Sequence, residues 1–156
     1  MPPRHVAAKS TLVCGGTTDT LLQVRRHRTR TVISKDQVMP LLMEACPSFR
    51  PPAEDQDLLY VALGDFARHL LQLQQQSRTQ EFPEVARAIE RLHVEGDHYV
   101  REAATIGLLE GIQNVWGNEG TDPELFVRHL LPVSAKWWQS LNDFWNGKSK
   151  FVGEGL

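Results

Sequence analysis

FPEVARAIERLHVEGDHYVREAATIGLLEGIQNV, residues 82–115, is the stretch that decides the fold. Its spacing predicts two helices joined by a tight turn at Glu95-Gly96-Asp97. In the second helix Val100, Ala103, Ala104, Gly107, Leu108, Gly111, Ile112 and Val115 recur at i, i+3, i+4, i+7 intervals without interruption. Tyr99, Ile106 and Leu109 are apolar outside that stripe, which predicts a central helix covered on more than one side. In the first helix Val85, Ala86, Ile89 and Leu92 face inward, and Glu84, Arg87, Glu90 and Arg91 face outward. Pro83 suits its first turn. Gly96 is expected as the C′ residue in the left-handed conformation, and Asp97 as the N-cap of the next helix.

Working outward, every other segment also reads as helical. Ser34-Lys35-Asp36-Gln37 is a capping box that opens a helix lined by Val38, Leu41, Leu42 and Ala45. Cys46-Pro47 ends it, and a polar loop with the acidic run Glu54 to Asp57 comes next. A second helix begins near Asp57 and carries Leu59, Ala62, Leu63, Phe66, Ala67, Leu70 and Leu73 on one face. After residue 115, Asp122-Pro123 starts a short helix containing Leu125, Phe126, His129 and Leu130. Ser134 is expected to cap a last helix in which Trp137, Trp138, Leu141, Phe144 and Trp145 crowd together. The one β-like run is Thr11 to Cys14. The expected fold is therefore all-α, a compact bundle of about six helices.

The 156 residues suffice for one domain with a real core. No apolar run approaches the ~18 residues that a bilayer demands, so no membrane association is expected. Cys14 and Cys46 form no CxxC pair, which fits reduced thiols and a cytoplasmic location. Charge is split along the chain. Residues 1–31 hold six basic side chains against Asp19 alone, and residues 32–156 hold eleven against eighteen acids, a net −7. Residues 1–31 are accordingly read as a disordered basic leader, or as residues from an upstream start joined to a domain that begins near Val32. Residues 32–147 are read as a single helical domain, and 148–156 as a loose tail.

Two resemblances sit on these residues. The stretch from Glu95 to Ala104, with Leu108 and Ile112 beyond it, resembles the turn and second helix of a HEAT-like repeat. That likeness implies a HEAT-like central hairpin and a structural role for Arg101. One copy is visible, whereas a solenoid needs about three or more. More widely, residues 32–147 resemble a family of small all-helical bacterial domains of unknown function. The residues that carry this likeness are Ile33 to Gln37, Leu41 to Phe49, Gly64 to Arg68, Glu90 to Asn114 and Trp138 to Trp145. The family implies a fold and no activity.

For chemistry, the hairpin turn offers His93, Glu95, Asp97 and His98. All are competent metal ligands, but in no established ligand spacing. Helix capping, solvation and the helix dipole account for them, so no metal or other cofactor is expected. His69 and His129 read as solitary half-buried histidines. Cys46 has no histidine near it in sequence, so it has little support as a nucleophile. No nucleophile elbow, phosphate loop or dinucleotide fingerprint is present. Trp137 and Trp138 differ by about 100° around a helix, so Trp137, Trp138 and Trp145 cannot all be buried and are candidates for a partner-binding anchor.

The expected function is a non-enzymatic protein-interaction domain, in one version an acidic antitoxin-like or immunity-like partner of a basic protein. The competing expectation is an enzyme or small-ligand binder with its site near the 93–98 turn. Nucleic acid enters only if the basic segment 1–31 is translated.

Overall fold

The computed structural model describes residues 31–53 and 57–156. Residues 1–30, which hold Cys14, the β-like run and all but the last residue of the segment 1–31 expected to be a leader, and residues 54–56 of the acidic loop lie outside the described residues. The helices are α1 (Lys35–Ala45), α2 (Leu59–Gln75), α3 (Phe82–Glu95), α4 (His98–Glu102), α5 (Glu110–Asn118), α6 (Glu124–Val127) and α7 (Pro132–Trp145). A π-helical stretch, Ala103–Leu109, joins α4 to α5, so these three pieces form one continuous helix and the bundle described has six. No described helix is long and apolar enough to cross a membrane.

The first helices start and stop where local chemistry dictates. At the head of α1 the Gln37 side chain reaches back to accept the Ser34 N–H at 2.9 Å, completing the capping box. Leu59, Ala62, Leu63, Phe66, Ala67, Leu70 and Leu73 of α2 are all buried, as their spacing requires. Asp97 accepts the Val100 N–H at 2.8 Å and caps α4.

Gly96 departs from expectation. Its φ of −71° and ψ of 152° are extended rather than left-handed. The backbone here pairs with the strand-like residue before α1: Ile33 N–H donates to the Glu95 carbonyl at 2.9 Å, and Asp97 N–H to the Ile33 carbonyl at 3.0 Å. Glycine is needed because a Cβ at this position would lie 2.3 Å from the Leu92 carbonyl oxygen and 2.5 Å from a Val100 methyl. Close approach, not backbone handedness, selects it.

The stripe from Val100 to Val115 is buried or half-buried as its spacing requires, but the helix that carries it is not uniformly α-helical. One extra residue per turn in the π-helical stretch rotates the helix beyond it, so Thr105 and Leu109 turn inward and Trp116 becomes a fully buried core residue. Tyr99 and Ile106 stay exposed at 40% and 38%, so the outer flank of this helix is open to solvent. The two glycines of the small-residue strip differ. A Cβ on Gly107 would meet Leu63 Cδ1 at 2.7 Å, whereas one on Gly111 would find its nearest neighbour, Ala67 Cβ, at 3.9 Å. Tight packing against α2 therefore rests on Gly107.

Phe82, Trp116 and Phe126 meet at 5.4–6.4 Å between ring centroids and fill the centre, with the Trp116 indole N–H donated to the Ala67 carbonyl at 3.2 Å. His129 packs edge-on to Phe82 beside them. The last helix begins at Pro132, so Ser134 lies inside its first turn and is not its N-cap. Its orphan amides are capped from another helix. Glu90 Oε1 accepts the Val133 N–H at 2.9 Å, and Glu90 Oε2 accepts the Ser134 N–H at 2.8 Å. Glu90, assigned to the outer face by its spacing, is thus half-buried and ties α3 to α7. Residues 148–156 turn back over α7, where Val152 packs on the core and Gly153 lies against the Trp137 ring.

Candidate functional site

Among the described residues, two polar clusters that contain a histidine cross the bundle, and neither can be read from local sequence. The first is buried and centres on His93, 4% exposed. His93 Nδ1 lies 3.0 Å from Ser134 Oγ, and Nε2 lies 3.1 Å from Thr105 Oγ1. Ser134 Oγ in turn donates to Glu90 Oε2 at 2.7 Å, and Thr105 Oγ1 donates to the Arg101 carbonyl at 3.0 Å. The Trp137 indole stacks on the imidazole, nearly parallel at 6.1 Å. Helix α3 supplies the acid and the imidazole, α7 supplies Ser134 and Trp137, and the π-helical stretch turns Thr105 inward to close the chain of groups.

Burial holds His93 down at about 4, against the upward pull of the Glu90 carboxylate, so it is neutral at neutral pH. Ser134 gives its hydrogen to Glu90, so the imidazole proton belongs on Nδ1 and points to Ser134 Oγ. Nε2 is then an acceptor, and the single Thr105 hydrogen faces two acceptors, Nε2 and the Arg101 carbonyl. Burial raises the Glu90 carboxyl, but its hydrogen bonds from Ser134 and Val133 outweigh this and hold it below the usual carboxylate range.

Outside this network lies a cleft of about 350 Å³ walled by His98, Arg101, Glu102, Thr105, Ile106, Trp137 and Val152. Thr105 and Trp137 belong to both, so His93 sits one side chain behind the cleft wall. Arg101, structural by its HEAT-like resemblance, is exposed at the cleft edge and makes no ion pair among the described residues.

The four residues of the 93–98 turn are not drawn together. His93 faces α7, Glu95 pairs with Arg91 at 3.1 Å, Asp97 caps α4, and His98 is exposed on the cleft rim. The tryptophans also take three different positions. Trp138 is buried and donates its indole N–H to Glu124 at 2.9 Å, Trp137 is half-buried in the cleft wall, and Trp145 is 59% exposed.

The second cluster lies where the end of α1, the middle of α2 and the start of α3 meet. Cys46 Sγ donates to Glu81 Oε2 at 3.1 Å, and Ser48 Oγ donates to the same oxygen in a short hydrogen bond. Ser48 Oγ also lies 2.8 Å from His69 Nε2, and Ser48 N–H donates to Glu81 Oε1 at 3.2 Å. Among the described residues, Cys46, His69 and Glu81 form the group whose ligand atoms all lie within 4.8 Å of one another. Burial and the neighbouring Glu81 push the Cys46 thiol up to about 11, so it is protonated and not a free nucleophile. Burial lowers His69. Burial raises Glu81, but hydrogen bonds from Ser48 and Cys46 bring it below the usual range.

Cys46 and Ser48 are near neighbours in sequence, but His69 lies 21 positions beyond Ser48 and Glu81 lies 35 beyond Cys46, and no spacing rule links them. The sequence signals were Cys46 and His69 as isolated residues, and they stay isolated until α1, α2 and α3 pack together.

No curated protein and no solved structure matches the chain. A family pattern does match, across residues 39–146, which contain the central hairpin, His69, Glu81 and the whole buried network. The resemblance carried by the Leu41 to Phe49 and Trp138 to Trp145 stretches is therefore a membership: the chain belongs to the family described as Domain of unknown function (DUF7674).

Proposed function

We propose that this domain binds a small ligand in the cleft between the π-helical stretch and α7. The observation that carries the reading is the buried Glu90–Ser134–His93–Thr105 network directly behind the cleft wall. A buried polar chain of this kind contributes less to stability than apolar packing of the same volume. A π-helical insertion is likewise uncommon outside functional sites. Both lie beside a concave surface, and His93 behind its wall is displaced from its ordinary pKa.

The walls describe the ligand. The Trp137 ring, Ile106 and Val152 give it a flat apolar body, and Arg101 with His98 at the rim gives it a carboxylate or phosphate. The volume lies at the low end of small-molecule sites, which limits the body to about one ring. His93, neutral and one layer back, orients Thr105 and does not reach the ligand, so the chemistry supported is binding.

Benzoate and phenyl phosphate are the probes, followed by NMR of the Trp137 indole and His93 imidazole resonances. Saturable shifts of both, weakened about tenfold or more in Arg101→Ala, are the expected result. Absence of any saturable shift at Trp137 with either probe defeats the proposal.

A second reading has its own support. Phe144 and Trp145 meet edge to face at 5.3 Å and are 36% and 59% exposed, a partner-sized aromatic anchor on an acidic domain. In this reading the domain neutralises a basic protein, in the manner of an antitoxin or immunity protein. Stoichiometric capture of a basic partner that is lost in Phe144→Ser/Trp145→Ser favours it, and capture unaffected by that double change removes it.

A further inference from the structure

We infer that Cys46, His69 and Glu81 form a binding site for a single zinc-class divalent cation, with the Ser48 hydroxyl as their shared gate. The geometry is the argument. One sulfur, one imidazole nitrogen and one carboxylate oxygen from three different elements converge within 4.8 Å. Around a tetrahedral zinc the same three atoms stand about 3.3–3.6 Å apart, a contraction of roughly 1 Å. The Cys46–Glu81 pair, at 3.1 Å, is already slightly closer than that and needs no contraction.

Ser48 Oγ is in contact with all three side chains. It lies 2.8 Å from His69 Nε2 and 3.6 Å from Cys46 Sγ, and it hydrogen-bonds to Glu81 Oε2. A hydroxyl in contact with all three side chains marks the position from which all three can be reached. A turn about the Ser48 Cα–Cβ bond moves it aside or leaves it as an outer partner. The backbone N–H of Ser48 keeps its hold on Glu81 Oε1 in either case, so the carboxylate stays oriented while its other oxygen meets the ion. Phe49 packs against His69 at 5.4 Å and edge-on to Phe66 at 5.0 Å, which limits the swing of the imidazole.

The donor set selects the ion. A thiolate and an imidazole disfavour magnesium, calcium and manganese and suit zinc or cobalt(II). Three protein ligands leave a fourth position on the exposed Ser48 side, through which the ion and a water enter. On binding, the S–H bond of Cys46 breaks, sulfur keeps the electron pair for the metal, and the proton passes to solvent. No redox change is involved.

The test is cobalt(II) titration of the full chain after removal of metals with a chelator, followed by zinc displacement. One equivalent should give a thiolate-to-cobalt charge-transfer band that zinc abolishes. Cys46→Ser should lose the band. His69→Gln should weaken binding about tenfold or more. Cys14→Ser and His98→Ala should leave both unchanged, and circular dichroism confirms that each variant is folded. The inference is overturned if no stoichiometric band forms, if the band survives Cys46→Ser, or if it depends on Cys14 or His98.

Discussion

The two polar clusters use nearly the same parts to different ends. Each has a glutamate that accepts a backbone N–H and a serine hydroxyl, and each has a histidine in contact with that hydroxyl. At His93 both ring nitrogens have hydroxyl partners and the ring is 4% exposed. Around His69 the ring is half-buried, Ser48 is exposed, and a protonated thiol replaces the second hydroxyl. A sealed network cannot exchange partners without leaving a buried group unsatisfied, which costs about 1–3 kcal/mol per group. In the open network solvent reaches the Ser48 side, and an ion that enters there displaces the Cys46 proton, which burial and Glu81 hold up at about 11. The buried cluster is therefore fixed behind the cleft wall, and the other has solvent on its Ser48 side.

Acid should separate them most clearly. His93 is held at about 4 against an ordinary value of 6.5, so between those limits the folded chain binds fewer protons than the unfolded chain. Stability is complete above about pH 6.5 and falls as pH drops through 4, by about 3 kcal/mol from this group. Glu90, also depressed, adds loss of the same sign below the carboxylate range. Urea unfolding from pH 7 to pH 4 should show this slope in the wild type and a clearly flatter one in His93→Leu. Equal slopes would place the acid-sensitive group elsewhere.

Glu90→Ala comes next. It strips the trans-cap from α7 and should cost about 2–3 kcal/mol by urea denaturation at pH 7. A cost near zero would mean that water caps α7 equally well. Glu81→Ala removes an equivalent set of hydrogen bonds at a more exposed place, so about 1 kcal/mol is expected. If it matched Glu90→Ala, the contrast between sealed and open clusters would fail. His69→Asn should change stability least, within about 0.5 kcal/mol in the absence of metal. A larger loss would make the second cluster a structural clamp in its own right.

Much of the fold was legible because helical spacing, proline and capping chemistry are local. The buried face of α2, the Ser34 box and the Asp97 cap each depend on residues a few positions apart. Where the structure differs from these expectations, the reason is a contact or a helix winding that the spacing of residue types does not encode. Gly96 looked like a helix-ending glycine because nothing near it announces the Ile33 pairing or the Leu92 carbonyl pressed against its Cα. Glu90 sits on a polar face, and only the arrival of α7 gives that face a helix end to cap. The π-helical stretch carries no signal of its own, so the stripe through Gly107 and Ile112 read as unbroken while Trp116 went unassigned to the core.

By itself the sequence determined the all-helical class, most helix limits and the apolar face of each main helix, since these depend on periodicity and on contacts within one turn. The tertiary structure alone decided which polar residues meet. His93 finds Ser134 and Thr105, and Cys46 finds His69 and Glu81, because packing apolar faces brings together side chains that no spacing relates. Burial then sets what those groups can do. It keeps His93 neutral and sealed, and it leaves the Cys46 cluster at an edge where Ser48 meets solvent.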